Sequence, residues 1–224
     1  MFIGHYAVAL AAKRAAPRTS LGTLFLAAQL ADMLWPVFLL AGWERVRIIP
    51  DPNPFLILTF DAYPISHSLL TLAGFGLLLA LLHRARTGYS RGGVVVALAV
   101  ASHWFLDFAT HRPDMPLFPG GPLVGLGLWN SAAGTVVVEG LMLLAALWLY
   151  LRGTRARDRI GRYGFWGLMA VLVLSYASSL LAGPPPSMRA IAIGGIVFGW
   201  LFVAWAAWAD RHREATAAAG GEPG

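Results

Sequence analysis

Six long apolar blocks constrain this 224-residue chain more than any other feature of its sequence. Each block holds about the 20 residues that an α-helix needs to cross roughly 30 Å of hydrocarbon. Only 12% of the residues are charged and 58% are hydrophobic, whereas soluble domains carry roughly 25% charged residues. The composition therefore argues against a water-soluble enzyme and against a disordered chain. It predicts an all-α, polytopic membrane protein.

Glycine, proline and basic residues separate the apolar blocks and mark the ends of the predicted spans. The six predicted spans are Leu21–Gly42, Ser66–Leu82, Gly93–His111, Ser131–Leu151, Gly161–Gly183 and Met188–Ala209. The second is the shortest, so we expect it to begin before Ser66. Residues 1–12 are apolar but reach only about 18 Å as a helix, which predicts a short half-spanning helix. One transmembrane bundle domain is expected over residues 1–209, followed by a disordered cytoplasmic tail over residues 210–224.

The basic residues predict the orientation of the spans. If the six spans alternate, 13 of the 17 basic residues fall on one side and 4 on the other. The side with more positive charge is cytoplasmic, so the C-terminus should be cytoplasmic and the proline-rich loops Trp43–Ile65 and Arg112–Asn130 should face outward. The pI near 10.3 then reflects topology, and no nucleic-acid partner is expected. A single lysine beside many Ala and Gly residues is typical of a GC-rich bacterial genome, and hence of a bacterial inner membrane.

Several ionisable side chains fall at similar depth in the outer half of the predicted bundle. They are Asp32, His67, His103, Asp107 and Glu139. A charged group at the centre of a span costs about 2.5–3.5 kcal/mol, so such groups normally face the bundle interior. His103 and Asp107 are one i, i+4 step apart and can reach one ion. Because the chain has no cysteine, nitrogen and oxygen ligands are expected, which favours Zn²⁺ first and then Mn²⁺ or Fe²⁺.

Other residues extend this candidate site. His5 would lie about 12 Å along the half-spanning helix from its cytoplasmic end, as a ligand or as a donor to one. Asp32 also fits a general base, with Glu139 as the alternative base. Arg112 and His111, at the outer end of the third span, fit a site for a substrate phosphate. His111 also fits a second-metal ligand or a residue of the outer loop.

Each of these side chains also has a purely structural explanation. A lone histidine inside a membrane protein often binds a backbone carbonyl, and His67 fits the neighbour of a helix cap at Ser66. Glu139 fits an ion pair with an arginine or a hydrogen bond between helices. If these explanations hold for the whole set, the polar cluster serves only helix packing.

Four motifs resemble the YdjM-like family of membrane-embedded, metal-dependent hydrolases. They are Gly4-His5, Ala31-Asp32, Ser66-His67-Ser68 and His103 to Asp107, in the order of the family over residues 1 to about 120. The resemblance implies hydrolytic activity and a metal site formed by His5, Asp32, His67, His103 and Asp107. The second acid of the family's Pro-Asp-x-Asp motif and its His-Arg-Gly motif are missing, so two potential ligands are absent.

The leading functional hypothesis is a metal-dependent hydrolase that acts on a lipid-linked ester or phosphoester at the extracytoplasmic face. The expected partner is therefore a membrane lipid or a lipid-linked substrate. One alternative is a transporter or permease, which would need polar groups through both leaflets. The other is a non-catalytic membrane scaffold. The sequence makes no prediction of oligomeric state.

Overall fold

The computed structural model describes residues 1–216 and is mostly helical. Its eight α-helices are α1 (Ile3–Ala15), α2 (Leu21–Ala28), α3 (Leu30–Leu40), α4 (Leu69–Thr87), α5 (Ser90–Thr110), α6 (Ala132–Gly153), α7 (Arg159–Leu181) and α8 (Met188–Arg211). Five of them, α4 to α8, are long and apolar enough to cross a membrane. The helices have the length and composition of a multi-pass membrane protein, as the apolar blocks predicted.

The first predicted span, Leu21–Gly42, is not one straight helix. It is divided into α2 and α3, which meet at Gln29 with a bend of 55°. The pair is long and apolar enough for a sixth span only if the two helices are counted together. Five of the six predicted spans therefore correspond to single long helices, and the first is corrected to a bent pair.

Side-chain caps explain where the long helices begin. Ser68, Ser131 and Ser187 precede α4, α6 and α8, and each Oγ accepts a hydrogen bond from a backbone N–H in the first turn. These bonds satisfy amides that have no partner within the helix. Helix α4 thus begins at Leu69, and the expectation that this span starts before Ser66 is wrong. Gly88 follows the last residue of α4, and its φ of 67° is the left-handed conformation that glycine adopts readily.

Helix α1 is the predicted half-spanning helix, and it lies in the middle of the bundle. Most of its residues are buried, including Ile3, Tyr6 and Leu10. It packs against α2, α5 and α6. A helix that crosses only part of a membrane needs this protein environment, because its free terminal amides and carbonyls cannot be left in lipid. The burial of α1 also accounts for an imidazole at His5, which is 1% exposed.

Short strands qualify the all-α prediction without changing the core. The antiparallel ribbon β1 (Arg45–Ile48) with β2 (Leu58–Ala62) and the ribbon β3 (Met115–Pro116) with β4 (Leu123–Val124) lie in the two proline-rich loops. A 3₁₀ turn follows at Leu128–Asn130. We call this side of the bundle the outer side, following the orientation predicted above.

The third ribbon lies at the opposite end of the bundle and corrects part of the predicted tail. Strand β5 (Thr154–Ala156) pairs with β6 (Arg213–Ala215), and α8 continues to Arg211. The first seven residues of the predicted disordered segment, 210–216, are thus part of the fold. The remainder of that segment, residues 217–224, lies outside the described residues.

Candidate metal centre

The five residues that the family resemblance implied as metal ligands meet at one point inside the bundle. His5 comes from α1, Asp32 from α3, and His103 and Asp107 from α5, while His67 precedes α4. The Nε2 atoms of His5 and His103 both lie 3.1 Å from the Asp107 carboxylate, on Oδ1 and Oδ2 respectively. His67 Nε2 lies 3.5 Å from Asp32 Oδ1 and 3.8 Å from Asp107 Oδ2. We call these five residues the metal-ligand cluster.

The backbone break between α2 and α3 positions one of these imidazoles. Ala28 O, beside the break, accepts a hydrogen bond from His103 Nδ1 at 2.8 Å. A carbonyl oxygen can only accept, so Nδ1 carries the ring proton, and a neutral His103 presents the lone pair of Nε2 to the two carboxylates. That lone pair faces Asp107 Oδ2 at 3.1 Å, which is repulsive unless a cation or proton lies between them.

A relay of hydrogen bonds orients His67 in the same way. Ser66 Oγ donates to Glu44 Oε2 at 2.7 Å and contacts His67 Nδ1 at 2.6 Å. Because the serine proton goes to Glu44, Ser66 accepts from His67 Nδ1, and the lone pair of His67 is again on Nε2. Glu44 is 1% exposed and also accepts from the backbone amides of Ile65 and Ser66. Ser66 is therefore not the cap of α4 but a link between Glu44 and His67.

The unpartnered polar atoms of the cluster fit a metal ion. His103 is fully buried, and its Nε2 has no hydrogen-bond partner among residues 1–216. Two sets of potential ligand atoms lie within 4.8 Å of one another, His5 with His103 and Asp107, and Asp32 with His67 and His103. Atoms bound to one Zn²⁺ at about 2.0–2.2 Å lie roughly 3–4 Å apart. The separations of 3.1–3.8 Å between the imidazole nitrogens and carboxylate oxygens match that spacing.

Glu139, expected as the alternative general base, is bonded to the start of α1. Its Oε2 accepts hydrogen bonds from the backbone amides of Phe2 and Gly4 at 2.9 and 3.0 Å, which holds the first turn of α1 and so positions His5. Its Oε1 is buried and has no partner within the described part of the chain. Asp107 Oδ1 also contacts the nitrogen of Met1.

A cavity of about 780 Å³ adjoins the cluster. Asp32, His67, Asp107, His111 and Glu139 line part of it, and mainly apolar side chains of the N-terminal segment, α3, α7, α8 and the two outer loops line the rest. The Asp32 side chain is 39% exposed, in contrast to the buried His103 and Asp107. A volume of roughly 300–1,000 Å³ is typical of small-molecule sites, so the cluster has access to a bound molecule.

The side chains of the two residues expected to hold a substrate phosphate differ in burial and in hydrogen-bond partners. Arg112 is exposed, and its Nε donates to Asn130 Oδ1 at 3.2 Å. His111 lines the cavity, and its Nδ1 lies 2.9 Å from Asp114 Oδ1. Because Nδ1 donates to Asp114, Nε2 of the neutral ring is a proton acceptor and not a donor to phosphate. His111 belongs to neither set of potential metal ligands.

Sequence reasoning missed the residues that orient the cluster. Glu44 lies in an irregular loop and folds back to residues about 20 positions later. Tyr63 and Asp114 hold His111, with Tyr63 OH donating to Asp114 Oδ1 at 2.8 Å. The only signal for Glu44 was an acidic residue next to the membrane boundary.

Comparison with known proteins adds a partial match. No protein-family model matches the chain, and no solved structure matches it. A stretch of 70 residues, 31% of the chain, is 33% identical to the protein TRIGALACTOSYLDIACYLGLYCEROL 2, chloroplastic, of Arabidopsis thaliana. The chain spans only 17% of the length of that relative. The resemblance to the YdjM-like family therefore stays a prediction.

Proposed function

We propose that this protein is a membrane-embedded, metal-dependent hydrolase that cleaves an ester or phosphoester bond of a lipid-linked substrate. The observation that carries the proposal is the metal-ligand cluster, in which three imidazoles and two carboxylates from four separate segments of the chain meet beside a large cavity. Ionisable groups inside a membrane protein are costly, and an arrangement of this kind needs a counter-charge. A divalent cation supplies it.

The residues of the cluster fit Zn²⁺, with Mn²⁺ and Fe²⁺ as alternatives. His5, His67 and His103 offer nitrogen, and Asp32 and Asp107 offer oxygen. This donor set suits a catalytic zinc site, which keeps one position free for water or substrate. When bound, Zn²⁺ would lower the pKa of a water molecule and polarise the phosphoryl or carbonyl oxygen of the substrate.

The remaining chemistry falls to residues that reach the cavity. Asp32 is the partly exposed acid of the cluster, so it is the first candidate to accept the proton of the attacking water. Glu139 Oε1 is the alternative base, because its other oxygen is fixed by two backbone amides. Either carboxylate can return the proton to the leaving group as a general acid.

A lipid substrate is supported by two independent observations. The cavity lies among helices of transmembrane character, and its wall is mainly apolar. The partial match is to a protein whose name contains a diacylglycerol lipid, which fits a role in lipid handling. With the predicted orientation, the site faces the extracytoplasmic side of a bacterial inner membrane.

Metal analysis of the detergent-purified protein tests the proposal. We expect about one zinc ion per wild-type chain and none in His103→Ala, because that substitution removes the ligand with the unpartnered Nε2. His83→Ala is the matched control, since His83 lies near the end of α4 and contacts Thr19 instead of the cluster. Asp32→Asn is a milder variant that should fold, lower zinc affinity and lower hydrolysis of fluorogenic lipid esters and phosphoesters.

Two results would overturn the proposal. One is a wild-type protein that binds none of the three metals on addition. The other is zinc retained equally in His103→Ala and His83→Ala. Absence of metal combined with loss of thermal stability in every cluster variant would favour the scaffold alternative.

A further inference from the structure

The part of the cavity between α7 and α8 has a different character from the metal end. Its wall is formed by Val171, Leu174, Ile191, Gly194, Phe198 and Phe202, which we call the α7–α8 slot. Among the described residues that line the cavity, those from α7 and α8 carry no charge. Their only polar groups are the hydroxyls of Ser175, Tyr176, Ser178 and Ser179. Such a wall offers too few donors and acceptors to hold a sugar or a nucleotide.

Helices α7 and α8 touch at their inner halves and leave room at their outer halves. At the inner end, Trp205 Nε1 donates to Gly164 O at 2.9 Å, and a Cβ on Gly164 or Gly167 would press on a tryptophan ring. In the outer halves, Leu174 and Phe198 line the cavity and are nevertheless 64% and 50% exposed. The slot therefore opens sideways between the two helices, toward the region that lipid occupies around a membrane protein.

Glycine residues of α8 have two different roles around the slot. Gly195 and Gly199 allow α8 to approach α3, because a Cβ at these positions would lie 3.1 Å from Pro36 and 3.3 Å from Met33. Gly194 is different, since a Cβ there would meet no atom of residues 1–216 within 4 Å. It faces the cavity, so its missing side chain leaves the slot open and is not needed for helix packing.

We propose that the α7–α8 slot binds one acyl chain of a membrane lipid that enters sideways from the bilayer, an assignment of substrate class that rests on the hydrolase function proposed above. The chain lies against Val171, Leu174 and Phe198, and the polar part of the same lipid reaches Asp32 and the metal end of the cavity. The wall selects hydrocarbon because a charged or strongly polar group in the slot would lose its contacts with water and find no charged partner there. The substrate is therefore an intact lipid and not a water-soluble ester.

Photolabelling tests the slot separately from the metal. The protein is placed in nanodiscs of phosphatidylglycerol that contain phosphatidylglycerol with a diazirine near the end of one acyl chain. After illumination, peptide mapping measures the label on the α7 segment 171–179 relative to the label on Leu77 and Leu81, which are exposed on α4. Normalising to α4 removes the labelling that any lipid-facing helix receives.

Gly194→Leu is the blocking variant, and Gly74→Leu is its matched control. A Cβ at either glycine meets no described atom within 4 Å, but only Gly194 lines the cavity. We expect Gly194→Leu to lower the normalised α7 label to about the level of the exposed α4 residues, because the leucine side chain would fill the space that an acyl chain occupies. Gly74→Leu should leave it unchanged, and both variants should retain zinc.

The outcomes distinguish the slot from the proposed function. A normalised α7 label that is equal in Gly194→Leu and Gly74→Leu overturns the slot. In His103→Ala the label should persist although zinc is lost, because the slot does not include the metal ligands. If wild-type protein binds no metal but shows slot labelling that Gly194→Leu abolishes, the hydrolase proposal fails while acyl-chain binding stands.

Discussion

The direction of the hydrogen bonds from Glu44 through Ser66 to His67 can be reversed by Glu44→Gln, which replaces one carboxylate oxygen with an NH₂ group. In the wild type, the Glu44 carboxylate accepts from Ser66 Oγ and from two backbone amides. In Glu44→Gln, the amide oxygen still accepts from the two backbone amides, but the amide NH₂ now faces Ser66 Oγ. Ser66 must then turn its own proton toward His67 Nδ1, which puts the ring proton on Nε2, where the metal would bind.

The size of the effect follows from the role of the relay. Loss of the group that orients a metal-ligating histidine lowers metal affinity by about 10- to 100-fold, or roughly 1.4–2.7 kcal/mol. Glu44→Gln should lie at the upper end, because it stabilises the tautomer that cannot bind metal. Ser66→Ala should lie at the lower end, because it removes the partner of His67 Nδ1 without forcing a proton onto Nε2.

Competition for zinc between the apo-protein in detergent and a chromophoric chelator measures these affinities. Asp51→Asn is the control, because Asp51 lies in the same outer loop and, within residues 1–216, its side chain bonds only to the local amide of Asn53. Thermal melting followed by circular dichroism shows whether each variant is folded. A folded Glu44→Gln protein with wild-type zinc affinity would refute the tautomer reasoning, as would a larger loss in Ser66→Ala than in Glu44→Gln.

Two further predictions concern stability at the two ends of the bundle. Lys13→Met should lower the free energy of unfolding by about 3–5 kcal/mol, because it leaves the buried Asp210 without its counter-charge. In the wild type, Asp210 Oδ2 lies 2.7 Å from Lys13 Nζ. Arg14→Met, at an exposed position, should change the melting temperature little, and equal melting temperatures of the two variants would contradict this prediction. At the outer side, the hydrogen bonds from Arg47 lower the pKa of Asp61. The pair therefore stabilises the β1–β2 ribbon fully at pH values above the ordinary aspartate pKa of about 3.9. This stabilisation is lost as the pH falls through the lowered pKa of Asp61. Hydrogen exchange of the ribbon amides as a function of pH measures this loss, and an identical acid profile in Arg47→Ala would contradict it.

The sequence predicted which ionisable side chains meet inside the bundle, because the cost of burying charge is large and local patterns reveal it. His103 and Asp107 are on one face of a helix by their spacing alone, and the structure places their side chains 3.1 Å apart. Asp32 and Glu139 were recognised by depth, since an acid in the middle of an apolar block requires a partner. His5 followed from the position of a helix too short to cross a membrane and therefore buried in protein.

The sequence could not predict the break at Gln29. The residues around it, Ala28-Gln29-Leu30, include neither glycine nor proline, and the proline of this segment, Pro36, lies within α3 and not at the bend. What stabilises the break is distant in sequence, because Ala28 O finds its donor in His103, 75 residues later. Tertiary partners of this kind leave no local periodicity, and the same holds for Glu44 and for the pairing of β5 with β6.

The geometry of the cluster favours one ion over two. His103 belongs to both sets of potential ligands, yet it has a single free nitrogen, since Nδ1 is occupied by Ala28 O. One nitrogen lone pair binds one metal, so the two sets describe a single site. Charge leads to the same conclusion, because one divalent cation neutralises the carboxylates of Asp32 and Asp107, whereas a second ion would leave an excess of positive charge within the apolar bundle.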